Sequence, residues 1–96
     1  MRVTSESATF GVLCRRFGGL MPNGCTVRLP RILGEGRALD MLMTGRAFDA
    51  AEAKQIGLAD RLVPKGQALE VALELAEQLA GFPKLAMLSD RASTIS

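Results

Sequence analysis

Histidine, tryptophan and tyrosine are absent from these 96 residues, and phenylalanine occurs only four times. Without histidine there is no Ser/His/Asp or Cys/His nucleophilic group, no histidine-ligated zinc site and no imidazole proton shuttle. Cysteine is scarce too: Cys14 and Cys25 lie eleven positions apart, a spacing of neither a Cys-x-x-Cys redox pair nor a zinc-ligand pair. Both are expected to be reduced, buried thiols of a cytoplasmic protein. No charge of one sign dominates. Twelve Lys and Arg against ten Asp and Glu leave a net charge of +2, too even to imply nucleic acid or an anionic membrane as partner. The start MRVTSESATF has Arg2 but no apolar run after it, and no stretch approaches about 18 uninterrupted apolar residues, so neither a signal peptide nor a membrane span is expected. The glycines of FGG, NGC and GEG match no P-loop, dinucleotide fingerprint or EF-hand spacing.

What is present is apolar enough to fold: 48% of residues are hydrophobic and 23% charged, which excludes intrinsic disorder and fits one small domain. A chain of this size hides only about 60–65% of its unfolded surface, so partner surfaces are expected to contribute. Residues 3–10, rich in Val, Thr and Ser and ending at Gly11, predict a strand, and 59–63 before Pro64 a short edge strand. Residues 11–23, with three glycines, a proline and Arg15–Arg16, predict a loop of the kind that carries function. Asn23 is placed to cap a helix to about Leu33, kinked or broken at Pro30. Residues 37–44 predict a short helix buried through Leu39, Leu42 and Met43, stopped by Gly45. Asp49 with Glu52 resembles a capping box opening a helix that ends at Gly57. Over 67–80 a buried face of Leu69, Ala72, Leu73, Ala76 and Leu79 opposes a solvated face of Glu70, Glu74 and Glu77. Gly81 and Pro83 then interrupt, and 84–92 resume a helix with Leu85, Met87 and Leu88 apolar.

Three pieces taken together are more specific. They are ATFG; the P-x-G-x-T-x-R-L-P-R-x-x-G run over 22–34; and MTGRAFDAAEAKQIGLADRLVP over 43–64. With them, residues 2–92 resemble, almost without gaps, the second half of the crotonase family, the enoyl-CoA hydratases and isomerases. The resemblance implies an α/β, mostly helical fragment: the last turn of a ββα spiral over 1–34 and a C-terminal helical region over 35–96. It also implies homo-oligomers of trimer type. In complete members two backbone N–H groups hold the thioester oxygen of an acyl-CoA as charge builds on it, stabilising the transition state more than the ground state. The resemblance puts these donors, and one of two catalytic glutamates, in the family's first half.

The second glutamate belongs to the family's F-G-x-P-E run, which reads Phe10-Gly11-Val12-Leu13-Cys14 here. Cys14 thus stands at the acid position. An unperturbed thiol has a pKa of about 8.5 and stays mostly protonated, so it replaces a tuned carboxyl poorly. Cys14 is read either as a chemical group of a branch favouring isomerisation or another CoA reaction, or as a small apolar lining residue. The same resemblance brings Leu13, Phe17, Leu20 and Met21 towards the acyl chain, with ordinary core packing as the alternative, and Arg91 towards CoA phosphates. No metal and no separate cofactor is implied, since coenzyme A enters as part of the substrate. The expectation is therefore the C-terminal part of a protein acting on acyl-CoA thioesters in fatty-acid-type metabolism, inactive as an isolated chain. The alternative is a non-catalytic module that associates with itself or with complementary crotonase surfaces. A nucleic-acid surface on Arg28, Arg31, Arg37 and Arg46 is disfavoured by the acidic residues among them.

Overall fold

The computed structural model describes residues 1–13 and 24–95. Its first strand, β1 (Val3–Ser5), pairs in parallel with the strand β4 (Arg61–Val63), in the register Val3 with Arg61 and Ser5 with Val63. The Arg61 amide donates to the Arg2 carbonyl at 3.1 Å and the Glu6 amide to the Val63 carbonyl at 2.8 Å. Below them Asp60 accepts from the Arg2 amide at 2.6 Å and pairs with its guanidinium. The single strand expected over 3–10 is in fact two. Ser5 Oγ accepts from the Ser7 amide at 3.3 Å and the Ser5 carbonyl from the Ala8 amide at 3.0 Å, turning the chain there. The second piece, β2 (Thr9–Phe10), pairs antiparallel with β3 (Phe48–Asp49), setting Phe10 opposite Phe48.

Between the two halves of this pairing lies a helical hairpin. Helix α1 (Cys25–Leu33) starts at Gly24, whose φ of 80° suits glycine; Asn23, the expected cap, lies outside the described residues. Pro30 sits inside α1 and does not break it. The carbonyl it leaves without a donor belongs to exposed Thr26, and the proline φ is already helical. Helix α2 (Glu35–Thr44) ends on Gly45 as expected, but buries Ala38, Met41 and Leu42, leaving Leu39 and Met43 exposed. The i, i+3, i+4 repeat therefore starts one residue earlier than the leucines suggest, at Ala38.

Helix α3 (Ala50–Gln55) follows β3 directly. Asp49 Oδ1 accepts from the Glu52 amide at 2.8 Å, the cap that the spacing predicts. At its far end the Leu58 and Ala59 amides donate to the Ala53 carbonyl at 2.9 and 3.0 Å, with Gly57 at a φ of 86° making the reversal. The core forms around these joints: Leu33, Met41, Phe48, Ala53, Leu58 and Ala59, with Phe10, Val12, Leu29 and Ile56 against it.

Helices α4 (Ala68–Ala80) and α5 (Lys84–Ile95) contain no buried residue. Of the expected face of α4, Ala72 and Leu79 are half-buried, joined by Val71 and Leu75, while Leu69 is 73% and Leu73 56% exposed. The apolar residues run round two sides of α4, and only the side against β1 finds cover. The glutamates Glu70, Glu74 and Glu77 are exposed as expected. Helix α5 extends past the expected end at residue 92; Leu85 is 85% exposed and only Met87 is half-buried. A helix of this length is marginal in water without packing.

The Asp49 cap gives a direct test. Asp49→Ala is expected to lower stability in urea unfolding by about 1 kcal/mol, and Asp49→Asn to retain most of it; equal losses from both would show that the cap oxygen is not what matters.

Candidate functional site

The segment implied to carry the site leaves β2 at Gly11. Phe10 and Val12 pack on the core, and Leu13 between the core and the loop is 44% exposed, on the alternate side. A methyl group on Gly11 would stand 3.0 Å from Leu13 Cδ2 and 3.8 Å from Ala47 Cα, so this turn lies close against the chain entering β3. Of the candidates, Leu13 is presented outward from the end of β2 and Arg91 stands exposed on α5, a separate element. Cys14, Arg15, Arg16, Phe17, Leu20 and Met21 lie outside the described residues. Cys25, the first residue of α1, is a free thiol and half-buried, less enclosed than expected.

Beside this exit sits a charged cluster that linear spacing does not reveal. Arg46 Nη1 donates to Glu52 Oε2 at 3.0 Å and Nη2 to Glu52 Oε1 at 2.7 Å, a bidentate fork. Nη2 also donates to Asp40 Oδ2 at 2.9 Å. The guanidinium carbon lies 3.9 Å from the centre of the Phe48 ring. The Arg46 amide donates to Thr44 Oγ1 at 3.2 Å, and that hydroxyl to the Asp40 carbonyl at 2.5 Å, so the backbone after α2 is fixed as well. Donating its hydrogen bonds to Glu52 first and Asp40 second holds Arg46 above its ordinary range, and accepting them holds the Glu52 carboxyl below its own. Glu52, expected to complete a capping box, turns its carboxylate to Arg46. A spacing of six, between Asp40 and Arg46 and again between Arg46 and Glu52, leaves two residues on different faces of a helix and about 20 Å apart on a strand, so the closed corner brings the three together.

Elsewhere the described residues offer little. An open groove of about 180 Å³ between β4 and α4 is lined by Arg61, Val71, Glu74, Leu75 and Gln78, none of them a candidate. Among the described residues no three His, Cys, Asp or Glu side chains cluster as metal ligands, and no helix is long and apolar enough to cross a membrane.

A family model described as enoyl-CoA hydratase/isomerase matches residues 1–93. Enoyl-CoA hydratase EchA19 of Mycobacterium tuberculosis is 44% identical over 87 residues, covering 91% of this chain and 33% of that protein. A probable enoyl-CoA hydratase of Rhizobium meliloti is 41% identical over 80 residues, 83% of this chain and 31% of that one. Among solved structures, an enoyl-CoA hydratase/isomerase from Mycobacterium abscessus superposes with a TM-score of 0.93 at 34% identity, covering 99% of this chain and 39% of its own. One from Hyphomonas neptunium superposes with a TM-score of 0.77 at 45% identity, over 83% and 30%. The chain thus spans about a third of the length of the relatives it matches.

The depressed Glu52 pKa fixes the sign of a pH effect. Folded Glu52 binds its proton less readily than unfolded Glu52, so its contribution is complete above the ordinary value of 4.5 and is lost as pH falls through the lowered folded value. Urea unfolding followed from about pH 6 to about pH 3 is expected to show a steeper loss in the parent than in Glu52→Gln; parallel curves would remove the ion pair from the account.

Proposed function

The chain belongs to the enoyl-CoA hydratase/isomerase family, and we propose that it forms the C-terminal part of an enzyme that hydrates or isomerises a double bond of acyl-CoA thioesters, as in fatty-acid metabolism. The observation that carries this is the near-complete superposition on a solved relative of which it covers only 39%. Leu13 would then face the acyl chain at the end of β2, with Cys14 beside it at the family's acid position, and Arg91 would meet the CoA phosphates. The exposed Leu69, Leu73, Leu85 and Leu88 give the rest of such a protein, or a neighbouring subunit, an apolar surface to cover.

These 96 residues by themselves lack a proton-transfer pair. The chain has no histidine, and its ten carboxylates divide simply. Asp40 and Glu52 are held by Arg46, Asp60 by Arg2, and Asp49 caps α3. The other six are exposed. A general acid or base of this chemistry needs a tuned carboxyl in a cleft, and the enolate oxygen needs fixed donors, which the resemblance assigns to the family's first half. The isolated chain therefore turns over little or no substrate.

Incubation with crotonyl-CoA, following loss of the conjugated thioester absorbance, is expected to give no rate above the uncatalysed one. Cys14→Glu is expected to change nothing, because a restored acid still lacks the oxyanion donors. Turnover at about 1 s⁻¹ or faster by either chain would overturn the assignment of catalysis to the missing portion.

A further inference from the structure

We propose that α5 is a strap that closes on α4: where nothing else covers their apolar sides, the chain turns at residues 81–83 and packs the two helices side by side as a hairpin. Two stripes carry this. On α4, Leu69, Leu73, Ala76 and Ala80 recur at spacings of four, three and four. On α5, Leu85, Leu88, Ala92 and Ile95 recur at three, four and three. Each set forms one narrow stripe along a helix of 3.6 residues per turn, free of charge, and every one of its side chains is exposed. In the open arrangement α4 packs on β1, while α5 packs extensively on no described element. The radius of gyration is 15.6 Å, where a compact chain of this length has about 12–13 Å.

The two stripes are in register about the turn between them. Counted back from Gly81, those of α4 fall at positions 1, 5, 8 and 12; counted on from Pro83, those of α5 fall at 2, 5, 9 and 12. Antiparallel closure therefore sets Ala80 beside Leu85, Ala76 beside Leu88, Leu73 beside Ala92 and Leu69 beside Ile95. In the first three a small side chain meets a large one, the alternation by which facing helices interdigitate. Three residues, 81–83, are a usual length for the loop of such a hairpin. Gly81 has a φ of −80°, which any residue adopts, and a methyl group there would meet nothing closer than the Gln78 carbonyl at 3.5 Å. The open arrangement thus has no need of glycine at 81, whereas a reversal through positive φ does. Both helices are already formed, so closure orders only the short turn, and apolar burial favours it in water.

Thiol pairs test this on the full chain carrying Cys14→Ser and Cys25→Ser. Leu73→Cys with Ala92→Cys, neighbours in the closed form, is expected to form a disulfide within one chain under mild oxidation, at a rate independent of protein concentration. That rate is expected to exceed at least about tenfold the rate for Glu74→Cys with Asp90→Cys, a pair on the outer sides of the two helices. Equal rates for the two pairs, no disulfide in either, or a disulfide between chains that speeds with concentration would each overturn the proposal, the last by showing that a second copy covers the stripes. Should these variants fail to fold, amide hydrogen exchange on Leu88→Asp decides. A charge placed on α5 is expected to speed exchange along 69–80 at least about fivefold, equally at low and high protein concentration, while 50–59 keep the parent rates. Unchanged exchange along α4, a rise in both segments, or an effect that depends on concentration overturns it.

Discussion

The burial of one aromatic ring organises this small chain. Phe48 brings its side chain out of water on a strand only two residues long, too short for ladder hydrogen bonds to hold by themselves. What holds it is enclosure: Met41 from α2, Ala53 from α3, and Leu58 and Ala59 beyond the Gly57 reversal share its cluster, and Arg46 closes the remaining face. The apolar drive and the charged network reinforce each other. Burying the ring draws α2 and α3 together, and that closure brings Asp40 and Glu52 within reach of one guanidinium.

Away from that centre the chain grows progressively less covered. Two strand pairs of two and three residues, a helix half-buried on one side and a last helix with no buried residue leave much apolar surface open. The same gradient runs through the chemistry. The residues towards the core are fully occupied in holding the corner, and Leu13 and Arg91 are exposed away from it. The matched members of its family are about three times as long.

Several elements were legible from residue order because their causes are local. Asp49 caps α3 through an oxygen three residues from the amide it satisfies, and Gly45 and Gly57 end their helices by adopting a positive φ. The β4 strand before Pro64 and the solvated glutamates of α4 follow from composition within a few residues. Elsewhere the deciding contact is distant. Residues 3–10 divide because β1 pairs with residues nearly sixty positions on and β2 with others about forty on. On α2 the side chain that is buried is that of Ala38, while the larger Leu39 beside it is exposed.

Residue order by itself determined the absence of imidazole chemistry, the local caps and stops, and, through the runs over 22–34 and 43–64, the resemblance to acyl-CoA hydratases and isomerases. These depend on which side chains exist and on neighbours a few bonds away. Tertiary structure alone decided that Asp40, Arg46, Phe48 and Glu52 form one corner, that Gly11 rests against Ala47, and that most of the apolar surface of α4 and α5 stays open. Each of those depends on which separate segments the burial of Phe48 brings together, and no periodicity along the chain encodes that.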